Sequence, residues 1–144
     1  MSLDPSFSRL VDYPGTRFYP EHHLLTWHPR GILEAAKVEY FAHWLGVLEP
    51  ELGTFHRFVD LSLITGIHLT SAEVARVADI RATRYKGESV LSVFLAGAPL
   101  SFGVASIYQR LMADTPIRIE VVMSREAAAR LLQVEPGILE PPEM

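Results

Sequence analysis

The chain has 144 residues, of which 49% are hydrophobic and 21% charged, with a formal net charge of -4 and no cysteine. Such a length and apolar content suit one domain with one core and exclude a largely disordered chain. The lack of cysteine excludes disulfides, thiol catalysis and thiolate metal sites, and an acidic balance without a clustered basic face argues against nucleic-acid binding.

Met1-Ser2-Leu3-Asp4-Pro5 has no basic start followed by an apolar stretch, so it does not read as a secretory leader. No apolar run reaches the roughly 18 residues that a membrane helix needs. A cytoplasmic protein without a membrane span is the expectation.

In chain order, residues 1–15 read as a flexible lead-in, 16–134 as the folded domain and 135–144 as a proline-rich tail. Thr16–Tyr19 and His23–Trp27 are short strands joined at Pro20-Glu21, which predicts an antiparallel hairpin with Leu25 and Trp27 on one face and Leu24 and Thr26 on the other. From Ile32 the period changes. Leu33, Ala36, Tyr40, Trp44 and Leu48 recur at helical spacing, and Pro50 and Gly53 close the helix.

Phe55–Ile64 is largely apolar and predicts an interior strand ended by Gly66. Thr70-Ser71-Ala72-Glu73 is a capping-box pattern that opens a helix to about Arg84. Val90–Leu95 is a strand and Ser101–Ala113 a helix, with Val104, Ile107, Tyr108 and Leu111 on one stripe. Ile117–Met123 is the last strand, and Ser124 caps a last helix over Arg125–Leu132. A hairpin followed by strand–helix units predicts an α/β fold with one mixed, mostly parallel sheet of five strands and about four helices.

Four stretches carry a resemblance. Gly31-Ile32-Leu33-Glu34 follows an early strand, and Val59-Asp60-Leu61-Ser62 ends a central one. Phe102-Gly103-Val104-Ala105-Ser106-Ile107-Tyr108-Gln109 begins a late helix, and Val121-Val122-Met123-Ser124-Arg125-Glu126-Ala127-Ala128 joins the last strand to the last helix. In this order and spacing they resemble the STAS superfamily, and more closely its SpoIIAA-like branch, over about residues 16–134. The resemblance implies a five-stranded sheet surrounded by helices and a non-catalytic binding or regulatory module. Such a module would act through a protein partner, not identified by the sequence, or through self-association as a homodimer. It also implies, as an alternative, a carrier of a small apolar ligand, a lipid or a carboxylate. In the wider superfamily a phosphorylatable Ser or Thr opens the helix after the Asp-Leu-Ser strand; here that position falls on Thr70, within His68-Leu69-Thr70-Ser71, without the family's acidic residue and glycine.

The candidate binding or regulatory residues are therefore Asp60, Ser62, His68, Thr70 and Ser71. Each has a structural reading beside the functional one. Thr70 and Ser71 complete a helix cap, and Asp60 can organise the loop that follows it. Phe41, Phe102, Tyr108 and Met112 are candidates for an interface or groove. Phe41 and Met112 lie off the main helical stripes and would mark such a surface if exposed.

No metal or cofactor site is expected. His22 and His23 would point to opposite faces of a strand, His22 and His28 would lie about 20 Å apart along a continuous one, and His43, His56 and His68 are scattered. There is no nucleophile elbow, no glycine-rich phosphate loop and no paired carboxylate. An enzyme would need several of His22, His28, Asp60 and His68 to converge in a cleft.

Overall fold

The computed structural model describes residues 13–142. Its strands are β1 (Thr16–Tyr19), β2 (Leu24–Trp27), β3 (Gly31–Glu34), β4 (His56–Asp60), β5 (Ile64–His68), β6 (Val90–Leu95) and β7 (Ile117–Val122). Its helices are α1 (Ala35–Leu52), α2 (Ser71–Arg84), α3 (Pro99–Leu111) and α4 (Arg125–Leu132), with short 3-10 turns at Pro20–His22 and Pro136–Leu139. The main sheet has five strands in the order β1-β2-β4-β6-β7; β1 is antiparallel to β2 and the other pairs are parallel. The predicted α/β class, with a mixed, mostly parallel sheet and four helices, is the class observed.

From β2 to β7 the strand order advances in one direction. Right-handed crossovers then put every connecting helix on the same face. Accordingly α1 packs on α2, α2 on α3, and α3 on β7, while α4 packs on β6 from the opposite face. Alternation along each strand divides the core in two. Leu25, Trp27 and Val59 face α1–α3, whereas Leu24, Phe58 and Val93 face α4. The arrangement of Leu24, Leu25, Thr26 and Trp27 expected of the hairpin is met.

Two segments differ from the sequence expectation. Gly31–Glu34 is a strand, not the first turn of a helix, and Phe55–Ile64 is not one strand. The chain breaks after Asp60 and turns back into β5, which pairs in parallel with β3 as a separate two-stranded sheet. Short apolar runs carry no period that tells strand from helix, so only the pairing of β3 with β5 decides these residues. The α1 stripe shifts as a result. Leu33 belongs to β3 and does not mark the helical face; the buried face is Phe41, Ala42, Leu45 and Leu48, and Tyr40 is exposed. The helix also runs through Pro50 to Leu52.

The ends of the domain are tied down. Tyr13 packs against Trp27, Phe41 and Trp44, and Leu139 is fully buried against the α4 face. Residues 1–12, most of the expected lead-in, and 143–144 lie outside the described residues.

Candidate functional site

Two buried polar clusters stand on opposite faces of the sheet. The first is at the carboxyl ends of β2 and β4, on the α4 side. Asp60 is wholly buried. Its Oδ2 lies 2.8 Å from His28 Nδ1 and accepts from Arg125 Nη1 at 3.0 Å, while its Oδ1 accepts from the Ser62 N–H at 2.9 Å. Burial by itself would push this carboxyl up, but the hydrogen bonds from His28, Ser62 and Arg125 outweigh it and hold Asp60 well below the usual carboxylate range.

Gly15 helps to place His28. Its carbonyl accepts the His28 N–H at 2.8 Å. Its φ is +79°, and a Cβ there would stand 2.8 Å from the His28 carbonyl oxygen, so only glycine fits. Arg125 extends the cluster to the C-terminal segment, donating to the Leu139 carbonyl at 2.7 Å and lying 3.7 Å from Glu140. Both Asp60 oxygens are engaged and His28 and Asp60 are buried. The cluster joins β2, β4, α4 and the C-terminal turn.

The other sequence candidates do not join it. Ser62 touches it from the exposed side, through its backbone N–H and a side-chain hydrogen bond to Asp60. His68 is exposed at the far end of β5, and Thr70 and Ser71 are exposed beyond it. The Thr70 hydroxyl accepts the Glu73 N–H at 3.1 Å and Glu73 bonds back to the Thr70 N–H at 2.9 Å, which completes the capping box. Of the histidines and carboxylate that an active site would need, only His28 and Asp60 meet, and both are buried.

His22, His23 and His56 do border one open groove of about 490 Å³ together with Glu21. Strand alternation does not keep His22 and His23 apart, because His22 lies in a 3-10 turn and His23 takes a left-handed backbone with φ 48°. His56 Nδ1 is already occupied, accepting the Leu91 N–H at 3.0 Å. Among the described residues no group of three or more His, Cys, Asp or Glu is placed to hold a metal ion.

The second cluster lies under α1–α3. A cavity of about 100 Å³ separates the sheet from these helices. Trp27, Val59 and Phe94 line its sheet side; Phe41, Val77 and Ala105 line its helix side. Its wall is apolar except at one end, where Arg57, Arg81, Ser92 and Tyr108 border it. Arg57 and Arg81 are buried, and one guanidinium nitrogen of each pairs with the same oxygen of Glu49 on α1. Arg57 also donates to the Phe55 carbonyl at 2.6 Å and stacks over the Phe55 ring. The Arg57 Nε–H has no partner. Burial is the largest influence on the Arg57 guanidinium and lowers its pKa, with Glu49 opposing it. Burial likewise pushes the Tyr108 hydroxyl up to about 12, and Tyr108 feels the charges of Arg81, Arg57 and Glu49.

The groove candidates divide. Phe41 and Tyr108 line the cavity. Phe102 is half-exposed at the start of α3 and does not reach it. The condition set for an interface at Phe41 and Met112 is not met, because both are buried: Phe41 stacks on Trp27 with ring centroids 3.8 Å apart, and Met112 packs with Tyr85, Val90 and Ile117. Phe41 belongs to the true buried face of α1, and Met112, just past the end of α3, continues the buried line of Ser101 and Ala105.

Sequence reasoning missed Arg57, Arg81, Glu49 and Arg125. Arg57 alone left a signal, as a charge set within a predicted interior strand.

No known family model matches the chain. Over 88 residues it is 32% identical to the PAN2-PAN3 deadenylation complex catalytic subunit PAN2 of Eremothecium gossypii, a stretch that covers 61% of this chain and 8% of that protein.

Proposed function

We propose that this chain is a non-catalytic binding module that holds a small, mostly apolar ligand between its sheet and helices α1–α3. The cavity of about 100 Å³ carries this reading. Cores pack with few voids larger than a water molecule. An apolar void of this order stays dry and takes up small hydrocarbons, about 150 Å³ sufficing for benzene. On that scale a ligand body of roughly four non-hydrogen atoms matches the space.

Ala105 is buried on the cavity wall, so Ala105→Leu fills it. Wild-type protein should bind xenon or cyclopentane, seen as chemical-shift changes at Val59, Phe94 and Ala105, and the variant should not. Equal responses of the two proteins, or none in the wild type, would refute the reading.

A second reading, a regulatory module that docks a protein partner or a second copy of itself, draws on one observation. Leu100 and Met123 are 60% and 64% exposed, with Phe102 nearby on α3. Native mass spectrometry of protein purified from its own host separates the two. A retained small mass supports the carrier; a dimer, or phosphate on Thr70 or Ser71, supports the regulator.

A further inference from the structure

We propose that the cavity takes a small neutral carbonyl compound, a short ketone or aldehyde, its oxygen received by the hydroxyls of Ser92 and Tyr108 and its hydrocarbon body by the apolar wall. This rests on the cavity being a binding site and names the class of molecule it takes.

Two hydroxyls at the polar end of the cavity have nothing to bond. Val93 faces α4, so strand alternation turns its neighbour Ser92 toward α1–α3, where it borders the cavity. Tyr108 reaches the same end from α3, its ring edge-on to Phe94. Both side chains are enclosed. Ser92 is buried, and burial pushes the Tyr108 hydroxyl up to about 12, which keeps it a protonated donor at neutral pH. Among the described residues neither hydroxyl has a hydrogen-bond partner in the protein. The unbonded side-chain atom with no accessible surface is Arg57 Nε. The Ser92 and Tyr108 oxygens keep theirs, toward the cavity that both side chains border. Buried polar groups are nearly always bonded, so a pair of free hydroxyls at one end of a void is a place for a ligand's polar atom.

Charge and size narrow the class. Arg57 and Arg81 spend hydrogen bonds on Glu49 and on the Phe55 and Ala42 carbonyls. A carboxylate seated at the hydroxyls would exchange its hydration for two neutral donors, and an amide would press its own N–H groups against apolar wall. A ketone or aldehyde does neither. Its oxygen has two lone pairs, one for each hydroxyl, and the rest of it is hydrocarbon. A void of about 100 Å³ holds a short body and no long chain.

Acetone and isobutene are isosteres that differ in the oxygen. Each is titrated into the full chain and followed by NMR, in wild type and in Tyr108→Phe and Ser92→Ala, which remove one hydroxyl apiece. Each variant should weaken acetone about fivefold relative to isobutene, the scale of one hydrogen bond. In the wild type, the carbonyl carbon-13 signal of bound acetone should stay near its position in water, where the oxygen is also hydrogen-bonded. If a variant does not fold by its urea midpoint, that wild-type signal decides alone. A ratio unchanged in either folded variant, a bound signal displaced upfield toward its position in hydrocarbon, or isobutene binding without acetone would overturn the carbonyl assignment and leave an apolar binding site standing. Acetate binding more tightly than acetone would overturn it in favour of an anion. If neither acetone nor isobutene binds and xenon also fails to enter, both readings fall together.

Discussion

Asp60 shows how one buried carboxylate can be structural in spite of a position that invites a functional reading. It stands at the carboxyl end of a central parallel strand, where open α/β sheets place their ligands. Every direction open to it is taken by His28, Arg125 or the Ser62 N–H. Asp60→Asn keeps the shape but removes the charge, stranding a cation beside His28. It should cost about 3 kcal/mol in urea unfolding, the scale of a broken buried ion pair. A loss near zero would mean that the cluster relaxes freely. Arg57 is the opposite case, equally buried but with one donor unused.

At the scale of elements, α2 illustrates a motif that is complete in its local role. Thr70 and Glu73 bond reciprocally at the helix start, so Thr70→Ala should cost about 1 kcal/mol with no change in cyclopentane affinity. A change in ligand affinity without a loss of stability would restore Thr70 to the functional candidates. The two-stranded sheet of β3 and β5 has a different lesson. It returns the chain from the carboxyl end of β4 to the start of α2, and so separates Asp60 from His68, Thr70 and Ser71, which are neighbours in sequence.

At the scale of the whole molecule, two titrating groups act in the same direction. The folded-state pKa of Asp60 is depressed below 3.8 and that of His56 below 6.5, the latter by burial first and then by Arg57 and His23. In each case the unfolded chain takes up a proton that the folded chain refuses. Each stabilisation is therefore present above the ordinary pKa and is lost as pH falls through the folded one. Unfolding free energy should be level near neutrality, decline on acidification below about 6.5 as His56 gives up the Leu91 N–H, and fall again below about 4. A His56→Gln variant should lose the first decline and an Asp60→Asn variant the second, as measured by urea midpoints across pH.

The periodic segments of the chain carried their own structure. Val90–Leu95, Arg125–Leu132, the β1–β2 hairpin and the capped start of α2 are readable residue by residue, because local period and cap chemistry suffice to specify them. The α/β class follows from their order. What the tertiary structure decided are the features that depend on long-range pairing. The strand identity of Gly31–Glu34 exists only because Ile64–His68 lies beside it. The burial of Phe41 and Met112, rather than the exposure they would need to mark an interface, depends on which side of a helix with apolar residues on more than one side meets the sheet. The joining of Arg57, Arg81 and Glu49, from β4, α2 and α1, has no linear signature. Side-chain period records which face of an element is apolar, but not which charges from three distant elements will meet behind it, nor that a void will remain where they do.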